Sequence, residues 1–143
     1  MSHVTQIGVE IKDLNILKAA CERLGFTFAE GQTTYAWYGR SVGDAPLPEG
    51  VTIEALGHCE HAIVVPGATY EVGVVADKKG GYRLLWDSWQ KGGLEERLGP
   101  GAGLLKQAYA LEAAREAAIS KGYSVCEIPQ QNGAITLQIS VGG

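Results

Sequence analysis

The chain has 143 residues, 45% of them hydrophobic and 20% charged, with a formal net charge of −4. That composition excludes a disordered chain and suits one α+β domain, residues 1–143, with a core of its own, while the acidic balance argues against the clustered Lys and Arg of a nucleic-acid surface. The opening MSHVTQIGVEIKDL lacks a basic flank before an apolar run, and no stretch reaches the roughly 20 apolar residues of a membrane span, so a soluble, cytoplasmic protein without membrane contact is expected.

In VTQIGVEI, Thr5, Ile7, Val9 and Ile11 alternate with Val4, Gln6, Gly8 and Glu10, which predicts a half-buried strand. Asp13 is placed to cap a helix in which Leu14, Leu17, Cys21 and Leu24 recur at helical spacing, with Gly25 ending it. FTFAEGQTTYAWYG reads as two short strands about a Glu-Gly-Gln turn, with Thr33, Tyr35 and Trp37 on one face of the second. Residues 39–50, rich in Gly, Pro and polar residues, have no period and read as a surface loop.

From Glu60 to Trp89 the pattern predicts three strands with turns at Pro66-Gly67 and Asp77 to Gly81, forming the centre of a sheet. Along the last of them Tyr82, Leu84 and Trp86 face one way, and Leu85 and Asp87 the other. After GPGAG, the residues Leu104, Ala108, Leu111, Arg115 and Ile119 trace a helix with one mostly apolar side, ended by Gly122. Two strands close the chain, joined by a turn at Asn132-Gly133. Both ends share the order helix, glycine, aromatic, short strand, turn and strand. Such a weak internal repeat, with both units sharing one antiparallel sheet and both helices on one face, predicts a ferredoxin-like α+β sandwich.

These pieces carry a resemblance. The opening MSH with its strand, IKDLNILKAACERLG, YEVGVV, GGYRLLWDSW and QAYALEAAREAAISKGYSV with the terminal hairpin together resemble the hypothetical chloroplast reading frame 35 family, domain of unknown function 1257. The resemblance spans nearly the whole chain and implies a small α+β protein without an assigned activity, so it carries over no catalytic residue. It also implies an accessory role beside an ATPase of the AAA type. Two departures stand out: the insert GLEERLGPGAGL, and an end SVGG in place of a basic or aromatic finish.

Three segments are candidates for chemistry. GHCEH holds His58, Cys59 and His61, the residue types of a metal site. In an extended segment Cys59 and His61 share one face and His58 the other, so two ligands converge where zinc takes four, or three and a water. The remaining candidate ligands, His3, Cys21 and Cys126, are scattered, and an odd set of distant cysteines suits buried free thiols. A Cys-His pair also suggests an activated nucleophile, without an identifiable orienting group. Packing accounts for the segment better than metal does, and no cofactor is expected.

WDSW places Trp86, Asp87 and Trp89 at a strand end, where indoles anchor protein partners. Trp86 fits the apolar face, which leaves Trp89 as the exposed anchor. GPGAG with Lys106 lacks the phosphate-loop pattern and reads as a hinge. Glu10, Glu30, Glu60 and Glu71 read as solvated faces. The function expected is thus a non-catalytic binding or adaptor domain for a protein partner, working through a sheet edge, the 39–50 loop and the Trp86 to Trp89 region. The alternatives are a metal-binding protein or enzyme centred on Cys59 and His61, and a homo-oligomer formed through an uncovered strand.

Overall fold

The computed structural model describes residues 4–39 and 46–141; His3 and residues 40–45 of the expected loop lie outside the described residues. β1 (Val4–Ile11), α1 (Leu14–Leu24), β2 (Thr27–Glu30), β3 (His61–Val64), β4 (Val72–Ala76) and β5 (Tyr82–Asp87) are followed by α2 (Leu94–Leu98), α3 (Gly103–Ser120), β6 (Ser124–Pro129) and β7 (Ile135–Ser140). Five strands form an antiparallel sheet in the order β1-β5-β4-β3-β2, and β6 and β7 pair with each other alone. The α+β class expected from the pattern is there. The one shared sheet is not: β6 and β7, the strands that follow α3, form a sheet of their own. No helix is long and apolar enough to cross a membrane among the described residues.

Local rules explain most of these elements. The Asp13 carboxylate accepts the Asn15 N–H at 2.8 Å, and Gly25 closes α1 at φ 77°. The buried face of α1, Leu17, Ala20 and Cys21, meets Leu105, Ala108 and Tyr109 of α3 and the sheet residues Ile7, Ile63, Val72, Val74, Leu84 and Trp86 in one core. Both helices therefore lie on one face of the sheet. The α3 stripe differs from expectation: Leu104 and Ile119 are exposed, whereas Leu105, Ala108, Tyr109, Leu111 and Ala118 are buried. An alanine-rich helix is weakly amphipathic, so the sequence sets its phase poorly.

Among the described residues no α-helix packs on the opposite face of the sheet. Tyr35, Cys59, Ala62 and Leu85 form a second, smaller cluster there. The segment expected as a strand through Thr33, Tyr35 and Trp37 makes an isolated bridge, Thr34 with His58, because it crosses a face and does not extend an edge. The Tyr35 ring sits against Gly73, where an added Cβ would collide with Tyr35 Cδ1. A central strand normally avoids glycine; here its missing side chain is the space the tyrosine fills.

The expected hinge GPGAG exposes Pro100, Gly101 and Gly103 and is anchored at Ala102. Leu94, Leu98, Ala102 and Leu105 are all at 0% exposure, so the join between β5 and α3 is part of the core. Ala102 holds a left-handed φ of 60° at the start of α3, a conformation costing an L-residue about 1–2 kcal/mol that burial of its neighbours offsets.

The β6–β7 hairpin is fastened to the helices by charge. Glu127 takes both oxygens of its carboxylate to Arg23 of α1, at 2.8 Å each, and one also to Arg115 of α3; Arg23 further pairs with Glu112. Arg23 and Arg115 hold the Glu127 carboxyl below its ordinary range, the Arg23 hydrogen bond being the largest cause. A depressed carboxyl contributes stability above its ordinary value and loses it as pH falls through the folded value.

Two outcomes follow for this architecture. Gly73→Ala should lower unfolding free energy by about 1–3 kcal/mol, and in a Tyr35→Ala background most of that loss should vanish, both read from urea denaturation. On acidification below the ordinary glutamate range, NMR amide signals of the hairpin should shift or broaden before those of the five-stranded sheet, and Glu127→Gln should abolish that pH dependence.

Candidate functional site

The GHCEH segment is divided by a bend at Glu60. Before it, the Cys59 N–H bonds Thr33 O at 2.9 Å; after it, β3 begins. Cys59 packs in the cluster with Tyr35, Ala62 and Leu85, and its Sγ donates to Gln32 O at 3.2 Å. Burial, with the Glu60 carboxylate adding to it, pushes the thiol up to about 11. His61 lies on the helix side: its ring centroid is 5.3 Å from that of Phe28 and 5.8 Å from that of Tyr82, both packed against the main core. Its Nδ1 accepts the Gly31 N–H at 2.9 Å, which leaves the ring proton to Nε2.

Cys59 and His61 thus face opposite sides of the sheet, contrary to the extended-segment expectation. The bend takes Cys59 out of the alternation that would align them. His58 is exposed and faces a cleft of about 580 Å³ whose floor includes Val75 and Leu85. Lys79, Arg83 and Glu60 also line it, and Arg83 Nε donates to Gln6 Oε1 at 3.0 Å. Among the described residues no group of three or more His, Cys, Asp and Glu is placed to hold a metal ion. His58, Cys59 and His61 are therefore not brought together as a ligand set.

The three candidate residues of WDSW, Trp86, Asp87 and Trp89, take three different environments. Trp86 is 4% exposed in the main core, and its Nε1 donates to Thr5 Oγ1 at 3.0 Å. Asp87, on the opposite side of β5, is fully buried. One of its oxygens accepts the Trp89 N–H and the other the Tyr38 N–H, each at 3.0 Å. A carboxylate buried this deeply needs such bonds, and charged acceptors make strong ones. Trp89 is half-buried, set edge-on against Tyr38 with centroids 4.9 Å apart at 85°, and Lys91 Nζ lies 5.6 Å from its ring. Only Trp89 of the three keeps surface for a partner; Trp86 and Asp87 work from inside.

Sequence reasoning missed Tyr38 and Lys91 beside Trp89. The aromatic run YAWY, just ahead of the 39–50 loop, was the available signal. It also missed the acidic clips. Glu71 accepts the Ala36 N–H at 2.9 Å and the Gln32 amide at 3.0 Å, and Glu60 accepts the Ala76 N–H at 2.6 Å, so these two carboxylates bind neighbouring segments as well as facing water.

No family model, curated protein or solved structure matches the chain. Chemically, the GHCEH side offers a buried, protonated thiol, and the WDSW side offers an aromatic and cationic surface backed by a fixed carboxylate.

Thiol reactivity should follow these environments. Cys126 is exposed, whereas Cys21 and Cys59 are buried; alkylation of the native protein near neutral pH should label Cys126 first. Labelling of Cys59 should accelerate only as pH rises toward about 11, and peptide mapping by mass spectrometry reads both.

Proposed function

We propose that the chain is a non-catalytic binding or adaptor domain that engages a protein partner through Trp89, Tyr38 and Lys91. The observation that carries this reading is the Asp87 carboxylate, buried and bonded to the backbone amides of both aromatic residues. The bond pair fixes the two aromatic residues before any partner arrives. A surface ordered in advance loses less freedom on binding, and tryptophan is a frequent anchor of protein interfaces. Lys91 beside the indole suits a partner that brings a carboxylate next to an apolar side chain.

An ATPase of the AAA type is the partner class implied by the resemblance to the reading frame 35 family, and it is the first to test. The rival, an enzyme or metal protein centred on Cys59 and His61, would need those two side chains in one site. Their placement on opposite sides of the sheet favours the adaptor reading.

Titration of an AAA-type ATPase against the wild type should give saturable binding, weakened by Trp89→Ala about tenfold or more. His58→Ala, on the cleft, should leave the affinity unchanged. Equal affinity of the wild type and Trp89→Ala for every partner recovered would rule out this surface.

A further inference from the structure

The molecule has four strand edges without a neighbouring strand among the described residues: the outer sides of β1 and β2 in the large sheet, and of β6 and β7 in the hairpin. Edges of this kind pair with other chains unless something blocks them. β1 carries a register shift between Ile7 and Ile11. β2 is four residues long and ends at Glu30, ion-paired to Lys18. β6 carries Glu127 and Pro129.

β7 has none of these devices. Residues 135–141, ITLQISV, contain neither charge nor proline, and Ile139 and Val141 are 45% and 71% exposed. The direction of its free groups follows from the turn. The Gln130 N–H bonds Ala134 O at 2.8 Å, and Gly133 sits at φ 86° beside it, as in a three-residue loop closed by a bulge. Ladder bonds then alternate away from that pair, falling at Ile128 with Thr136, Cys126 with Gln138 and Ser124 with Ser140. Ile135, Leu137 and Ile139 consequently turn their N–H and C=O groups outward. On β6 the outward set is Val125, Glu127 and Pro129, and a proline has no N–H to offer.

The exposed set is self-complementary. About a two-fold axis at Leu137, antiparallel pairing sets Leu137 against Leu137 of the second copy and Ile135 against Ile139 of the second copy. Thr136 then meets Gln138 of the second copy. Every outward backbone group finds an outward partner, apolar side chains meet apolar ones on the same face, and no like charges oppose. A two-stranded hairpin, marginal by itself, becomes the half of a four-stranded sheet. We propose that the β7 edge pairs with the β7 edge of a second copy of this chain, giving a closed two-fold dimer. Because β6 ends in Pro129, growth beyond two copies is disfavoured at the far edges of that sheet.

Sedimentation equilibrium of the full chain tests this. The wild type should have the mass of two chains at high micromolar concentration, with no larger species. Ile139→Pro removes an outward N–H while sparing the β6 ladder, and should raise the dimer dissociation constant by about tenfold or more. Ile139→Lys, which keeps the N–H but sets a charge against Ile135 of the second copy, should do the same; Ile53→Lys, at an exposed isoleucine elsewhere, should leave the mass at two chains. A monomeric wild type, a mass that climbs without limit, or a dimer that survives both Ile139 variants would overturn the proposal.

Discussion

Asp87 accepts the amides of Tyr38 and Trp89 with its two oxygens, and the Tyr38 bond ties to the end of β5 the segment that brings Tyr35 and Trp37 over the second face of the sheet. Helices can lie on an apolar surface because their backbone groups are satisfied internally. The irregular segment from Thr33 to Tyr38 lacks that advantage, and each amide it buries needs an acceptor. Carboxylates supply several of them: Asp87 to Tyr38, Glu71 to Ala36 and, at the neighbouring strand, Glu60 to Ala76. Main-chain bonds from Tyr35 to Gly57 O and from Cys59 to Thr33 O complete the hold. One group is left over: the Tyr35 hydroxyl is buried without a hydrogen-bond partner among the described residues. The ring's fit against Gly73 outweighs that desolvation.

The parts of this fold legible in the sequence are those governed by local periodicity. The alternation Tyr82, Leu84, Trp86 against Leu85 and Asp87 gave β5 its two faces correctly, and Asp13 and Gly25 marked the ends of α1. Where burial comes from distant chain, periodicity misleads. Thr33, Tyr35 and Trp37 alternate as a strand would, yet the alternation serves a segment lying across a sheet. GPGAG has the composition of a hinge, yet its Ala102 is fully buried between the buried Leu98 and Leu105, while Pro100, Gly101 and Gly103 stay exposed. In GHCEH, one bend at Glu60 decides which ligands could meet, and no residue type announces it. The candidate site was half visible for the same reason: Trp89 was conspicuous as a tryptophan past a strand end, whereas Tyr38 comes from a distant part of the chain and meets it through the ring contact and the shared Asp87 carboxylate.

Acidic residues have a double part in this chain, whose formal net charge is −4. Asp87, Glu71 and Glu60 bind backbone over the second face of the sheet, while Glu112 and Glu127 draw Arg23 and Arg115 into one cluster joining α1, α3 and β6. The two uses differ in depth. The Asp87 bonds are sealed from water and are screened little, whereas the Arg23 and Arg115 pairs keep partial exposure and weaken as salt rises. The sheet is accordingly the rigid body of the molecule, and the hairpin is the element whose attachment responds to the surroundings.

The pairing of β1 with β5 sets the order in which the molecule can assemble. β3, β4 and β5 follow one another through short turns and form a meander from local contacts. β1 must wait for β5, since Thr5 and Trp86, joined by a hydrogen bond, stand 81 residues apart. Closing a loop that long is entropically costly before any contact rewards it, and folding slows accordingly. Of the five strands of this sheet, the one made first is therefore among the last to find its place. Until it does, β5 offers an open edge, and the apolar face that carries Leu84 and Trp86 is short of one of its walls.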